Sequence, residues 1–124
     1  MGRSHPILTD PVALLAALWA ALSLRVVRRR LRTEGLQART PPAPRLPARG
    51  RPGVLAALNR LGATCLERSL IHQRWLAAHG EPSDILIGID PAGGQDEFHA
   101  WVEGYEQHPA HLVIHRIAPP TSRR

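Results

Sequence analysis

A long apolar run near the amino terminus ends in a cluster of arginines. Asp10-Pro11 is typical of a helix start, because an Asp side chain can cap the first N–H groups and Pro fits the first turn. Residues 12–24 are apolar on every side, and the arginines that follow suit the negative end of a helix dipole. The pattern predicts a helix from Pro11 to about Arg32.

The apolar part of this helix falls short of the roughly 20 residues that a bilayer-spanning helix needs. The charges follow the apolar run, which is not the order found in a signal peptide. We therefore expect the helix to pack on its own domain or on a partner protein. The apolar-then-basic order leaves a peripheral membrane anchor as the alternative.

Proline dominates the next segment. Residues 40–52 hold five of the twelve prolines in the chain, and proline removes backbone donors, so an extended linker is predicted. The predicted organisation is a helical region over 1–39, a linker over 40–52, a small domain over 53–118 and a tail over 119–124.

Two helices are predicted after the linker. Residues 54–61 form the shorter one, and the longer one begins at Cys65. Thr64 and Glu67 have the spacing of a capping box, in which each side chain accepts from the other residue's backbone N–H. Gly80 is suited to close this helix.

Three strands follow the helices. Residues 85–89 are rich in β-branched side chains, and residues 98–103 and 112–117 show strand character separated by a turn-rich stretch. We predict that the last two strands pair as an antiparallel hairpin centred on Gln107. Helices followed by an antiparallel sheet give an α+β fold.

Charge is distributed unevenly along the chain. All 16 basic residues are Arg, and the net charge is +6. Ten arginines and two acids lie at or before Arg51, a net charge of +8, whereas six arginines and eight acids follow, a net charge of −2. The basic half could bind nucleic acid, but it carries no recognised motif, so no nucleic-acid partner is expected.

The single cysteine lies at a position that favours chemistry. It excludes an internal disulfide and is consistent with a reducing, cytoplasmic setting. Thiolate is the reactive form of cysteine, and the unpaired N–H groups at a helix N-terminus favour negative charge. Cys65 starts the best-capped helix, and His99 on a later strand could act as its base. From spacing alone, a buried structural thiol and an ordinary histidine are the better explanation of these residues.

Three sequence blocks, in order, carry a family resemblance: CLERSL from Cys65, ILIGI from Ile85 and FHAWVE from Phe98. They closely resemble the lasso-peptide maturation proteases of the transglutaminase-like superfamily. The resemblance implies that Cys65 is the nucleophile and His99 the base of a cysteine endopeptidase that needs no cofactor. It also implies a precursor peptide substrate whose leader is removed before a lasso cyclase acts.

Two features of that family have no counterpart here. The family's third catalytic residue is an Asp shortly after the His, and no Asp follows Asp96. The leader-binding element is a separate domain, so we expect a separate leader-recognition protein to supply it. The missing Asp motivates an alternative function, a non-catalytic peptide-binding or scaffold protein in a maturation complex.

Two further residues are weaker site candidates. In the predicted hairpin His115 lies opposite His99, so it could orient the imidazole in place of the Asp, or it could be a plain surface residue. Asn59 stands six residues before Cys65 and could donate to an oxyanion, although a helix-end role is simpler. His108, His111 and His115 have helical metal-ligand spacing, but a strand would scatter their rings, so no metal site is expected.

Overall fold

The computed structural model describes residues 10–91, 98–108 and 111–120. Within them, three helices precede three strands, and two short 3-10 turns, Gly35–Gln37 and Ala48–Gly50, lie between the first and second helices. The helices are α1 (Pro11–Glu34), α2 (Arg51–Arg60) and α3 (Cys65–Ala78). The strands are β1 (Ile85–Ile89), β2 (Phe98–Val102) and β3 (Leu112–Ile117). The α+β prediction is confirmed.

Helix α1 begins as its sequence predicts. The Asp10 carboxylate accepts a hydrogen bond from the Val12 N–H at 2.9 Å, and the helix ends at Gly35, whose φ is 63°. Its buried face consists mainly of small side chains, which let other elements approach closely. These residues are Ala13, Ala16, Ala20, Ser23, Leu24 and Val27.

Helices α1 and α2 approach each other closely at Gly53. A Cβ atom added to Gly53 would lie 2.1 Å from the Ala13 carbonyl oxygen, so the two backbones are in direct contact. Helix α2 starts at Arg51, three residues before its predicted start, because proline is tolerated in a first turn and Pro52 stands there. The preceding extended segment is held by hydrogen bonds from Trp19 to Pro42 and from Thr40 to Leu70.

One face of α1 is buried and the other is exposed. By length and composition alone, residues 11–37 could cross a membrane, with a mean hydropathy of 1.6 over an 18-residue window. The prediction that this run is too short is therefore not supported. Core helices and signal sequences meet the same criteria, and 33% of the window is buried in the molecule.

The capping box of α3 is confirmed. The Glu67 N–H donates to the Thr64 hydroxyl at 3.1 Å, and the Thr64 N–H donates to the Glu67 carboxylate at 2.9 Å. Arg28 of α1 donates to the same carboxylate at 3.1 Å, which fixes the start of α3 against α1. Cys65 is the first residue of the helix held in this way.

The order of strands in the sheet differs from the prediction. It is β2-β1-β3, with both neighbours antiparallel to β1, so β2 and β3 do not form a hairpin. His99 pairs with Gly88, and His115 pairs with Ile87. The hairpin prediction is wrong because β1 takes the central position between the two strands that it was expected to precede.

One hydrophobic core joins the helices to the sheet. Trp75 of α3, 1% exposed, lies at its centre beside Trp19, with ring centroids 5.9 Å apart. Helix α1 contributes to this core together with α2, α3 and the strands. Its main members are Ala16, Ala20, Leu24, Val27, Val54, Leu58, Leu70, Ile71, Trp75, Leu76, Ile85, Ile87, Ala100 and Val102.

Candidate active site

Cys65 lies where α3 meets the outer edge of the sheet. The Ala100 N–H of β2 donates to the Cys65 Sγ at 3.3 Å. Ala100 immediately follows His99, so the folded chain brings the predicted nucleophile against the residue next to the predicted base. Cys65 is half-buried. The sulfur therefore lies at a helix start and faces a backbone donor of the strand that carries His99.

His99 lies on the opposite face of β2 from the core. Side chains alternate along a strand, so Ala100 and Val102 face the helices while His99 and Trp101 face away. The His99 ring packs against His108 and Trp101, with ring centroids 4.2 and 6.0 Å away. Its Nε2 is buried and has no hydrogen-bond partner among the residues that the structure describes.

Cys65 and His99 are not joined by a hydrogen bond in the described part of the chain. The polar partner of the Cys65 sulfur is Ala100, and the His99 ring is turned toward other histidines. Burial lowers the pKa of His99, and the nearby His108 lowers it further, while the Glu106 carboxylate opposes the shift. The neutral imidazole, which is the form a general base needs, is favoured.

Glu106 lies close to His99, and the sequence did not predict this proximity. One ligand atom each from His99, Glu106 and His108 lie within 4.8 Å of one another, and a Glu106 oxygen is 3.7 Å from the His108 Nε2. The predicted hairpin placed Glu106 at its far end. In the structure the chain instead reverses after β2, where the Tyr105 N–H donates to the Val102 carbonyl oxygen at 3.1 Å.

His115 is not placed opposite His99. It is exposed on β3, and the central strand β1 separates it from β2. The predicted orienting role of His115 required a hairpin that placed it opposite His99. Because β2 and β3 do not form that hairpin, the basis for this role is lost. His111, which precedes β3, is closer to the candidate base, with ring centroids 5.6 Å apart.

Asn59 lies in the last turn of α2 and is exposed. Its side-chain oxygen accepts from Arg68 of α3 at 3.4 Å. Both residues line a cavity of about 290 Å³ that also reaches Glu106. The oxyanion role of Asn59 stays a prediction.

The same cavity contains a buried histidine held by an arginine. The Arg51 Nε donates to the His72 Nε2 at 2.9 Å, so this nitrogen carries no proton. Burial, followed by the charges of Arg51 and Arg68, lowers the pKa of His72 from 6.5 to about 4. Tyr105 covers the pair, with the Arg51 guanidinium 5.0 Å from its ring centroid and its hydroxyl bonded to Glu81.

Comparison with known proteins agrees with this architecture. A model of the transglutaminase-like superfamily matches residues 12–113. No curated protein and no solved structure gave a significant match. The family match covers α1 as well as the elements that hold Cys65 and His99, and it includes most of the chain. The chain belongs to the transglutaminase-like superfamily.

Proposed function

We propose that the protein is a cysteine endopeptidase in which Cys65 is the nucleophile and His99 the general base and acid. One observation carries the proposal: the Cys65 Sγ at the start of α3 accepts from the backbone of β2 beside His99. The superfamily includes cysteine peptidases, and the sequence blocks around both residues resemble those of its lasso-peptide proteases.

The reaction would proceed through an acyl-enzyme. Neutral His99 takes the proton of the Cys65 thiol, and the resulting thiolate attacks the scissile carbonyl carbon. His99 gives that proton to the leaving amine as the thioester forms. It then takes a proton from the water that hydrolyses the thioester and returns it to the departing Cys65 sulfur. These reaction steps require a His99 ring nitrogen within hydrogen-bond distance of the Cys65 sulfur. Catalytic hydrogen bonds often tighten only when substrate binds, so we expect His99 to turn from His108 toward Cys65 in the complex.

The proposed substrate is the precursor of a ribosomally made lasso-type peptide, from which the enzyme removes the leader. A separate leader-recognition protein and a lasso cyclase are the proposed partners. Four leucines of α1 are exposed by 45–55% and offer a surface for the leader-recognition protein: Leu14, Leu15, Leu18 and Leu22. We propose a cytoplasmic location, with the inner face of the membrane as a second place where this apolar and basic helix would fit.

The test is cleavage of the precursor in the presence of the leader-recognition protein. Cys65→Ala and His99→Ala should each abolish cleavage, while the far-ultraviolet circular dichroism spectrum stays unchanged. His115→Ala substitutes an exposed histidine on the opposite edge of the sheet. It is the matched control and should cut normally. Cleavage by Cys65→Ala at the rate of the unaltered protein would end the peptidase proposal.

The second candidate function is a non-catalytic peptide-binding or scaffold protein. It is favoured by the orientation of His99, whose Nε2 lacks a partner and is not bonded to Cys65 in the described residues. In that case both variants would still support precursor maturation, and Cys65 would react with alkylating reagents no faster than an ordinary thiol.

A further inference from the structure

Three side chains from β2 and the turn after it converge on one point. A ring nitrogen of His99, a carboxylate oxygen of Glu106 and a ring nitrogen of His108 all lie within 4.8 Å of one another. Such a group needs an explanation, because buried polar atoms are normally paired. Here the Nε2 atoms of both histidines are buried and have no hydrogen-bond partner among residues 10–91, 98–108 and 111–120.

The chemistry of this group suits a borderline divalent cation. Imidazole nitrogen together with carboxylate oxygen is a common ligand set for Zn²⁺, at distances of roughly 2.0–2.2 Å. Adjacent ligands of a tetrahedral ion are then about 3.3 Å apart, so small rotations of these side chains would close the site. Two histidines and one glutamate would occupy three coordination positions of a tetrahedral ion and leave the fourth open.

The surroundings favour a bound ion over a chance cluster. The His108 ring lies 4.7 Å from the ring of Trp101, which is 4% exposed and forms one wall of the site. Gly88 makes room for that wall, because a Cβ atom there would lie 3.1 Å from the Trp101 ring. The His111 ring lies 5.2 Å from His108 and 5.9 Å from Trp101.

We propose that His99, Glu106 and His108 bind one Zn²⁺ ion. This differs from the sequence-based expectation of no metal site, which considered His108, His111 and His115 as the ligands. A regulatory consequence rests on the proposed peptidase function. A His99 nitrogen bound to zinc cannot accept a proton, so zinc would inhibit cleavage reversibly without contacting Cys65.

Binding is tested without any activity assay, on the tag-free, metal-stripped full chain. Zinc titrated against a chromophoric chelator should bind with a stoichiometry of one. His108→Gln should weaken binding by about 100-fold or more, at or above the roughly 10–100-fold that loss of an outer partner costs. His115→Gln is the matched control, since it removes an exposed histidine outside the cluster, and it should bind as the unaltered protein does.

Cobalt(II) reports which atoms act as ligands. The expected spectrum has the visible bands of a tetrahedral site and no thiolate charge-transfer band, and Cys65→Ser should leave it unchanged. Equal zinc affinity in the unaltered protein and in His108→Gln would overturn the proposed site. A thiolate band lost in Cys65→Ser would overturn the proposed ligand set.

The regulatory part has its own readout. Zinc at saturating concentration should stop precursor cleavage, and a chelator should restore it. Zinc binding at the cluster with undiminished cleavage would overturn the inhibition but leave the site intact. A protein that binds zinc as described yet never cuts the precursor, with or without chelator, would instead contradict the peptidase function.

Discussion

The backbone N–H of Ala100 points at the Cys65 sulfur from 3.3 Å, so β2 donates to the start of α3 through its edge. Ala100 pairs with Ile87 of β1, on the other side of the strand. The outer side of an edge strand has backbone N–H groups that the sheet does not use, and here one of them donates to the Cys65 thiol. The sulfur is thus held by a helix start and a strand edge together.

The first prediction concerns the reactivity of that sulfur. Because thiolate reacts and thiol does not, Cys65 should be alkylated by iodoacetamide at mildly acidic pH at least about 10-fold faster than the same cysteine in the unfolded chain. The rate is followed by mass spectrometry of the intact protein. Equal rates in the folded and unfolded protein would favour the scaffold function over the peptidase.

Glu106 is expected to position His99 through their proximity. Glu106→Gln keeps the size of the side chain but removes its charge, so we expect kcat for precursor cleavage to fall by about 10-fold or more with KM little changed. Glu103→Gln is the matched control, because Glu103 pairs with Arg116 at 3.2 Å. A loss of the same size in both variants would indicate a general effect of charge or folding.

The stability of the fold should depend on pH through His72. Its pKa of about 4 lies below the ordinary value of 6.5, so the unfolded chain binds the proton more readily. This contribution to stability is fully present above pH 6.5 and is lost as the pH falls toward 4. By linkage, the free energy of unfolding should drop by about 2 kcal/mol between pH 7 and pH 5.

The matched variant for this effect is His72→Gln, whose amide oxygen can accept from Arg51 but does not titrate. Urea unfolding at both pH values should show a smaller drop in this variant, by about the same 2 kcal/mol. Other titrating groups contribute equally to both proteins and cancel in the difference. An identical drop in the two proteins would show that His72 is not the acid-sensitive group.

The exposed leucines of α1 provide the fourth prediction. Leu18 is 55% exposed in the middle of the proposed docking surface, so Leu18→Glu should weaken binding of the leader-recognition protein by roughly 10-fold or more without unfolding the chain. Leu36, 48% exposed beyond the end of α1, gives the matched control Leu36→Glu. Isothermal titration calorimetry measures both. Unchanged affinity in Leu18→Glu would place the docking surface elsewhere.

Local features of the sequence were sufficient to predict the helices and strands. The Asp10 cap, the Thr64 and Glu67 capping box and the β-branched run at residues 85–89 act within a few residues, and each predicted element is present. Long-range features were not predictable in the same way. Strand order depends on which strand lies at the centre, and hydrophobic periodicity carries no information about that.

The candidate site was predicted only in part, because its local motifs could be predicted and its long-range contacts could not. Motif blocks singled out Cys65 and His99, and the fold brings their elements together. The position of Glu106 depends on how the chain reverses just after β2. The sequence predicted a turn-rich stretch there, but as the turn of a hairpin between β2 and β3. The spacing of Glu103 and Glu106 did not indicate which of the two carboxylates lies close to His99. One signal was present, since histidines stand at 108 and 111, shortly after Glu106 in the sequence.

The contact between the Gly53 position and the Ala13 carbonyl oxygen has a consequence for shortened versions of the protein. A chain beginning after α1 would expose the inner faces of α2 and α3, including Val54 and Trp75, to water. Such a chain would be expected to aggregate or stay unfolded. Failure of that fragment in any assay would therefore carry no information about docking or membrane association, and the role of α1 has to be studied by substitutions on its exposed face.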